Sequence, residues 1–322
     1  MLLLDEVPTE RLTPKFYRSD ILGGMKLSEI QCPGSMWGQY TQLYDIATGT
    51  SVAHDACRRT AHDILALGRP PIIHHLLDNS SLPLTMRYFI RRTMEHDLKY
   101  WGESRDVRYV EVNFVRSHSY FGLASENLFE TRLRQFIAGK LDFDLPPVSI
   151  FDQKIFYALP FDTETRHHFD EEARALFPYT AILFPEGVLL PSGERRSVAD
   201  LFSAPSAERQ YVLKYAGMDT DRNWGSRAVH DLALSSRPQL AQLRAKIEAD
   251  FPNGHYWIIQ ERLASRGAVE FTARDGSIGA MSGRKELRAF YGPSGLMGAL
   301  AIHRKAVKVH GADDSVFSLC RE

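Results

Sequence analysis

Arg18, Asp20, Glu29 and Gln31 are the residues whose types and spacing most directly suggest chemistry. Arg18-Ser19-Asp20 is followed by Gly23-Gly24, a turn signal, and then by Lys26-Leu27-Ser28-Glu29-Ile30-Gln31. Alternate residues of a strand project to one side, so Glu29 and Gln31 point together and Arg18 accompanies Asp20. A hairpin through the two glycines brings Asp20 alongside them. Two carboxylates and an amide oxygen form a hard, all-oxygen set suited to Mg²⁺ carrying nucleotide phosphates. Arg18 adds a fixed positive charge for a phosphoryl group or an anionic intermediate. An exposed, charge-decorated hairpin would produce the same pattern.

Three further segments carry candidates. Lys214 stands inside the apolar run 211–215, where a lysine must find an anionic partner or keep its head in solvent. The stretch after it contains Gly225-Ser226, and backbone N–H groups of such a loop can cradle phosphate oxygens. A snorkelling lysine beside a surface loop is the plainer alternative. Trp257-Ile258-Ile259-Gln260-Glu261 runs apolar and ends in an amide and a carboxylate, which suits a flat purine but also describes any strand ending at the surface. Asp152-Gln153-Lys154 reads as a helix start capped by Asp152, with Lys154 directed into a cleft or into water.

Other reactive residues assemble less well. His74-His75 and His167-His168 lack metal-ligand spacing and read as surface or capping histidines. Cys32 lies beside the presumed metal hairpin with no histidine at a telling offset, so it reads as a structural thiol. His303, Arg304, Lys305, Lys308 and His310 form a basic strip that reads as a solvated edge strand or an aid to anion binding. The sequence has no Walker phosphate loop, no dinucleotide glycine pattern and no His-Glu-x-x-His.

The elements that must position these residues fall into three regions, 1–146, 147–204 and 205–322. In the first, apolar residues from Leu128 to Ile137 recur at helical steps before Gly139, and 107–115 reads as a strand. The second contains the strand-like run 179–184. In the third, strand 211–215 precedes a helix with Pro238 in its first turn and Leu240, Leu243, Ile247 and Phe251 on one face. Strand candidates follow at 256–260, 269–272, 287–291 and 296–301, which together suggest one antiparallel sheet with a helix packed on it. The class expected is α+β.

Composition sets outer limits. The 322 residues are 44% hydrophobic and 25% charged, with 39 Lys+Arg against 40 Asp+Glu. That balance argues against a generally basic nucleic-acid binder. No stretch approaches the ~20 apolar residues of a bilayer span. Met1-Leu2-Leu3-Leu4 is cut short by Asp5 and Glu6, unlike a secretory signal. Cys32, Cys57 and Cys320 are too scattered for a disulfide framework, so a cytoplasmic protein without membrane or nucleic-acid partners is expected.

Taken in order, these segments resemble the ATP-grasp ligases. Asp152-Gln153-Lys154 with Pro178-x-Thr180 looks like the family's first lysine segment. Val212-Leu213-Lys214 resembles its second lysine strand, and Gly225-Ser226 its phosphate loop. Ile259-Gln260-Glu261 resembles the adenine hinge, Glu270 a ribose-contacting acid, and Leu287-Arg288-Ala289-Phe290 the strand whose arginine faces the phosphates. Most members place their metal ligands after that strand. Here Arg18-x-Asp20 and Glu29-x-Gln31 come first, as in the circularly permuted branch that includes glutathionylspermidine synthetase and eukaryotic glutathione synthetase. Gln31 stands where that branch has Asn, and the segment after it differs from the branch's Asp-Thr-Pro-Thr.

The resemblance implies a permuted ATP-grasp fold, antiparallel sheets and packed helices enclosing a nucleotide cleft. It implies a carboxylate–amine ligase dependent on ATP and Mg²⁺, with a small-molecule carboxylate and amine as substrates. Asp20, Glu29 and Gln31 would hold the metal. Lys154, Lys214, Gly225 and Ser226 would meet the phosphates, Gln260, Glu261 and Glu270 the nucleoside, and Arg18 with Arg288 the charge that develops on transfer. A small-molecule kinase using the same nucleotide site and a degenerate ATP-grasp binding or scaffold protein are the alternatives.

Overall fold

The computed structural model describes residues 7–15, 17–31, 40, 43, 62, 72–76, 99–103, 114–117, 129–143, 153–217, 219, 222, 228–273, 275–306 and 314–320. The chain opens with the expected hairpin: β1 (Tyr17–Leu22) pairs antiparallel with β2 (Lys26–Gln31). Its turn is a short 3₁₀ segment in which Gly24 takes φ 71° and Met25, unusually for a side-chain-bearing residue, φ 59°. Gly23 is needed for a different reason. A Cβ there would overlap the carbonyl oxygen of Ala264, so the turn packs backbone against backbone.

Four runs follow in a parallel sheet: β3 (Ile72–Leu76), β4 (Lys99–Glu103), β5 (Phe114–Ser117) and β6 (Asp142–Phe143), in the order β4-β3-β5-β6. The antiparallel expectation does not extend to this part of the chain. Successive runs here are separated by more residues than a hairpin loop uses, and parallel pairing requires such crossovers. One crossover contains helix α1 (Phe129–Ile137), which buries Leu133 and Phe136 and stops before Gly139 at φ 70°. The strand expected at 107–115 is described only from Phe114 onward.

The middle of the chain contributes α2 (Glu171–Leu176), capped by Asp170 accepting from the Ala173 amide at 2.7 Å, and β7 (Thr180–Ile182). The small ribbon β8 (Val188–Leu189) and β9 (Arg195–Arg196) leads to α3 (Val198–Ser203). Next come β10 (Tyr211–Tyr215), β11 (Val229–Asp231), α4 (Arg237–Asp250) and β12 (Trp257–Glu261). Helix α4 starts where expected: Ser236 and Gln239 cap it reciprocally and Pro238 lies in its first turn.

Strands β11-β10-β12-β7 form an antiparallel sheet. Leu213, Tyr215, Trp257 and Ile259 on one face pack with Leu201, Phe202, Leu240, Leu243 and Ile247 of the two helices. Burial of each such side chain contributes about 1.5–3 kcal/mol, which is enough to hold the helices on that face and leave the other face open to different work.

The last strands are β13 (Arg266–Thr272), β14 (Ile278–Gly292), β15 (Gly295–Arg304) and β16 (Val316–Leu319). The N-terminal hairpin joins them, in the order β16-β15-β14-β1-β2. Residues 287–291 of β14 pair with β1 while its outer half pairs with β13. The C-terminal runs therefore do not make the single sheet that their spacing suggests. Strand β12 leaves them for β10 and β7, and its burial explains why. Trp257, Ile258, Ile259 and Gln260 are all buried, so β12 needs cover on both faces, whereas β13 alternates and is half exposed. Two of the sheets thus draw strands from more than one of the three regions read in the sequence.

Short links join the hairpin sheet to the helix-backed sheet. The Lys26 ammonium donates to the Ala175 and Phe177 carbonyls at 2.5 and 3.3 Å, at the C-terminal end of α2 where a cation is favoured. The Ile30 amide donates to the Tyr157 hydroxyl, which belongs to a 3₁₀ turn, Lys154–Ala158. Among the described residues no helix is long and apolar enough to cross a membrane.

The turn provides a test of how the hairpin docks. Gly23→Ala should lower stability by about 1–3 kcal/mol, because the backbone contact with Ala264 must open. Gly24→Ala, where only the positive φ is at stake, should cost about 1 kcal/mol. Urea unfolding of both variants measures the difference; equal losses would mean that the close approach to Ala264 is not what holds the turn.

Candidate active site

Strand alternation decides which side chains can meet. In β10, Leu213 and Tyr215 turn toward the helices, so Val212 and Lys214 turn away from them. Register sets Ile258 and then Ile182 beside Lys214, and Gln260 and then Thr180 beside Val212. This open face is apolar with a lysine and an amide set into it. Gln260 is buried and its Nε2 donates to Thr180 Oγ1 at 3.2 Å. The 3₁₀ turn at Lys154–Ala158 packs against both β7 and β12, and its first residue, Lys154, is buried there.

The hairpin sheet presents a charged face. Asp20 stands directly opposite Glu29 on one side and Arg288 on the other, and Arg18 stands between Gln31 and Phe290. Cross-strand partners share a face, and Glu286 lies two residues from Arg288 on that same face. The Arg18 guanidinium donates through Nε and Nη2 to both oxygens of Asp20, at 2.8 and 2.9 Å. Arg288 Nε donates to Glu286 Oε1 at 2.8 Å and lies 3.7 Å from Asp20 Oδ1. Arg18 and Asp20 are each only 1% exposed.

Such burial reshapes the titration of Asp20, Arg18 and Arg288. Loss of water pushes the Asp20 carboxyl above its usual range, opposed by Arg18 and Arg288. Arg18 is pulled below its ordinary value, first by burial. For Arg288 burial acts in the same direction but is outweighed by Asp20 and Glu286, which hold it above the ordinary value.

Lys214 shows that the two faces oppose each other. Its pKa is lowered, first by desolvation, and its charged neighbours in order of strength are Glu29, Lys154, Glu286 and Asp20. Three of these come from β2, β14 and β1 of the other sheet and one from the 3₁₀ turn, so one ammonium senses four separate elements. Among the described residues Arg18, Arg288, Lys154 and Lys214 thus stand against Asp20, Glu29 and Glu286.

The donor chemistry fits a hard cation. Asp20 and Glu29 offer adjacent carboxylates, and each Asp20 oxygen keeps a lone pair beyond its bond to Arg18. Among the described residues no group of three or more His, Cys, Asp and Glu is placed to hold a metal by itself. A metal here would therefore need the Gln31 amide or phosphate oxygens as further ligands. Gln31 is opposite Arg18 in the ladder, and its side chain lies outside the described residues, as do Gly225, Ser226, Asp152 and Cys32.

Two expected nucleoside contacts stand apart from this cluster. Glu261 is exposed, and its carboxylate accepts from the Tyr179 amide at 3.3 Å. Glu270 is exposed opposite Ala280, six residues along β14 from Glu286 (286 minus 280), roughly 20 Å away along the strand. The structure does not bring Glu270 to the lysines. Conversely, sequence reading passed over Glu286, although its two-residue offset from Arg288 on a strand marks it as a same-face neighbour.

The loop entered from β10 is anchored at its start. The Tyr215 hydroxyl lies 2.8 Å from His255 Nδ1, and Arg222 sits over the Tyr215 ring while pairing with Asp219 and Asp250, each at 2.7 Å. A Cβ at Gly217 would overlap the Tyr215 hydroxyl end, so a larger residue here would have to displace that ring. Of the expected histidine candidates, His167 and His168 lie exposed and ring against ring at 3.9 Å.

No family model matches the chain, and no curated protein matches it. Among solved structures it is similar to a glutathione synthetase-like effector from Globodera pallida, determined in its apo form. The TM-score is 0.50 at 13% identity, over 96% of this chain and 75% of that one. The fold, α-helices with mainly antiparallel sheets, is consistent with the glutathione synthetase-like fold, and at this identity the likeness concerns the fold alone.

Lys214 offers a test of the opposed faces. Its charged form is disfavoured in the folded chain, a penalty present below the lowered folded pKa and relieved as pH rises through it toward 10.5. Lys214→Met should therefore melt higher than the parent at pH 7, by about 1 kcal/mol, with the gap closing on the alkaline side. Thermal unfolding across that range measures it; a variant less stable at pH 7 would mean that the acids require the lysine.

Proposed function

We propose that the chain is an ATP- and Mg²⁺-dependent ligase that joins a small-molecule carboxylate to an amine. The observation carrying this reading is the convergence on Lys214: the acidic hairpin and the Arg288 strand meet it from the opposing sheet, and Lys154 from the 3₁₀ turn. The glutathione synthetase-like fold is in keeping with it.

In this reading Lys154 and Lys214 hold the β- and γ-phosphates, and the apolar face around Ile258, with Gln260 at its rim, receives the adenine. Asp20, Glu29 and Gln31 would hold Mg²⁺, which supplies charge neutralisation on the phosphates. A substrate carboxylate oxygen attacks the γ-phosphorus, the bond to the bridging oxygen breaks, and ADP leaves. Arg18 and Arg288 lie where the charge of that transfer develops, and fixed cations of this kind stabilise phosphoryl transfer. The amine then attacks the acyl carbon, loses a proton and expels phosphate, leaving the amide. No protein nucleophile is required.

One observation favours a second reading, a binding or scaffold protein on the same fold. Both Asp20 oxygens accept from Arg18, a closed pair that a metal would have to open or share.

An ADP-release screen across amino acids, polyamines and small acids, with hydroxylamine present, decides between them. A ligase forms a hydroxamate through its acyl phosphate, whereas a small-molecule kinase releases ADP without one. Asp20→Asn and Glu29→Gln should each slow turnover on the order of 10²-fold or more. No Mg·ATP binding, or full turnover in both variants, would sink the ligase reading.

A further inference from the structure

On the same face of β14 as Glu286 and Arg288 stands Arg284, and the ladder sets it directly between Arg266 of β13 and Arg304 of β15. Opposed residues on neighbouring strands have Cβ atoms about 4.5–5.5 Å apart, and like charges there destabilise the pairing. A row of three arginines across three strands is therefore not something sheet formation favours.

The acids around the row do not neutralise it. Arg304 has its own partner, Asp314, at 2.7 Å. Arg284 reaches toward Asp231 of β11, with Nη2 3.7 Å from Oδ2, but that oxygen already accepts from Arg262 Nε at 2.7 Å. Arg266 is exposed and has no acidic partner among the described residues. Arg262 and Arg284 thus share one carboxylate while Arg266 adds a third guanidinium, so these three cations and one acid leave an excess of two positive charges among the described residues. The arrangement is partly desolvated: the Arg284 pKa is lowered first by burial and then by Arg262.

We propose that Arg262, Arg266 and Arg284 form an anion site at the outer end of the interface between the two sheets, and that it takes a phosphoryl group of a small-molecule ligand. The charge excess matches the roughly −1.5 to −2 that a phosphate monoester carries near pH 7. Guanidinium forks on neighbouring strands can each donate to two of its oxygens. Arg284 is four residues from Arg288, roughly 13 Å along the strand. A group bound at the row is therefore distinct from one held by Lys214, and the site does not rest on the ligase reading.

Calorimetric titration of the full chain with inorganic phosphate tests this. The parent and Lys214→Met should bind phosphate, and the double variant Arg266→Gln/Arg284→Gln should bind it about ten-fold more weakly or worse. Succinate, a dicarboxylate probe, should bind the parent more weakly than phosphate. Phosphate should raise the melting temperature of the parent and not that of the double variant. Because the double variant removes like-charge repulsion, it should melt no lower than the parent without ligand. Unchanged phosphate affinity in the double variant would overturn the proposal. So would loss of binding in Lys214→Met, absence of binding to the parent, or tighter binding of succinate. A double variant that melts lower without ligand would show the row to be a structural tie to Asp231, and would count against the site.

Discussion

The arrangement depends on one electrostatic constraint: charged groups taken out of water must be given partners, and here the partners come from different sheets. Lys214 projects from a strand whose other face is committed to the α3 and α4 core. Its ammonium loses solvent and finds Glu29, Glu286 and Asp20 across the interface. The hairpin sheet supplies the acids that offset part of the cost of burying this lysine.

The same constraint operates within the hairpin sheet. Arg18, Asp20, Arg288 and Glu286 alternate in charge along and across β1 and β14, so each buried ion has an opposite neighbour. Removing one partner of such a buried pair commonly costs about 3–5 kcal/mol. The charged face is thus a structural requirement of the β1–β14 pairing as well as the place where the proposed function puts its chemistry. The bidentate Arg18–Asp20 pair expresses the tension between those roles, because the groups best placed to receive a metal and phosphates also satisfy each other. Arg262, Arg266 and Arg284 show the opposite case, with Asp231 as their one acidic partner among the described residues.

Much of the local structure was legible in residue order. The Gly23-Gly24 hairpin, the apolar strand around Lys214 and the capped helix beginning after Ser236 all follow from short-range rules, namely turn chemistry, alternation and capping. The parallel pairing of β3 to β6 did not, since direction and partner depend on crossovers that periodicity does not encode. The separation of β12 from β13 and β14 was equally hidden. Both read as strands, and only the need to cover β12 on two faces sends it to another sheet. Glu270, which the resemblance implied as a ribose contact, stands opposite Ala280 on β14, a position that strand pairing sets and residue order does not.

The sequence by itself determined which residues could do phosphate and metal chemistry and which short elements would carry them. Strand alternation and a glycine turn are enforced within a few residues and need no distant partner. Only the tertiary structure decided that the front hairpin completes the C-terminal sheet, that Lys214 meets Glu29 from the opposing sheet with Lys154 beside it, and that Glu286 belongs among them. Those outcomes depend on which faces are left to be covered once the helices have packed, and burial of that kind is settled between elements far apart in the chain.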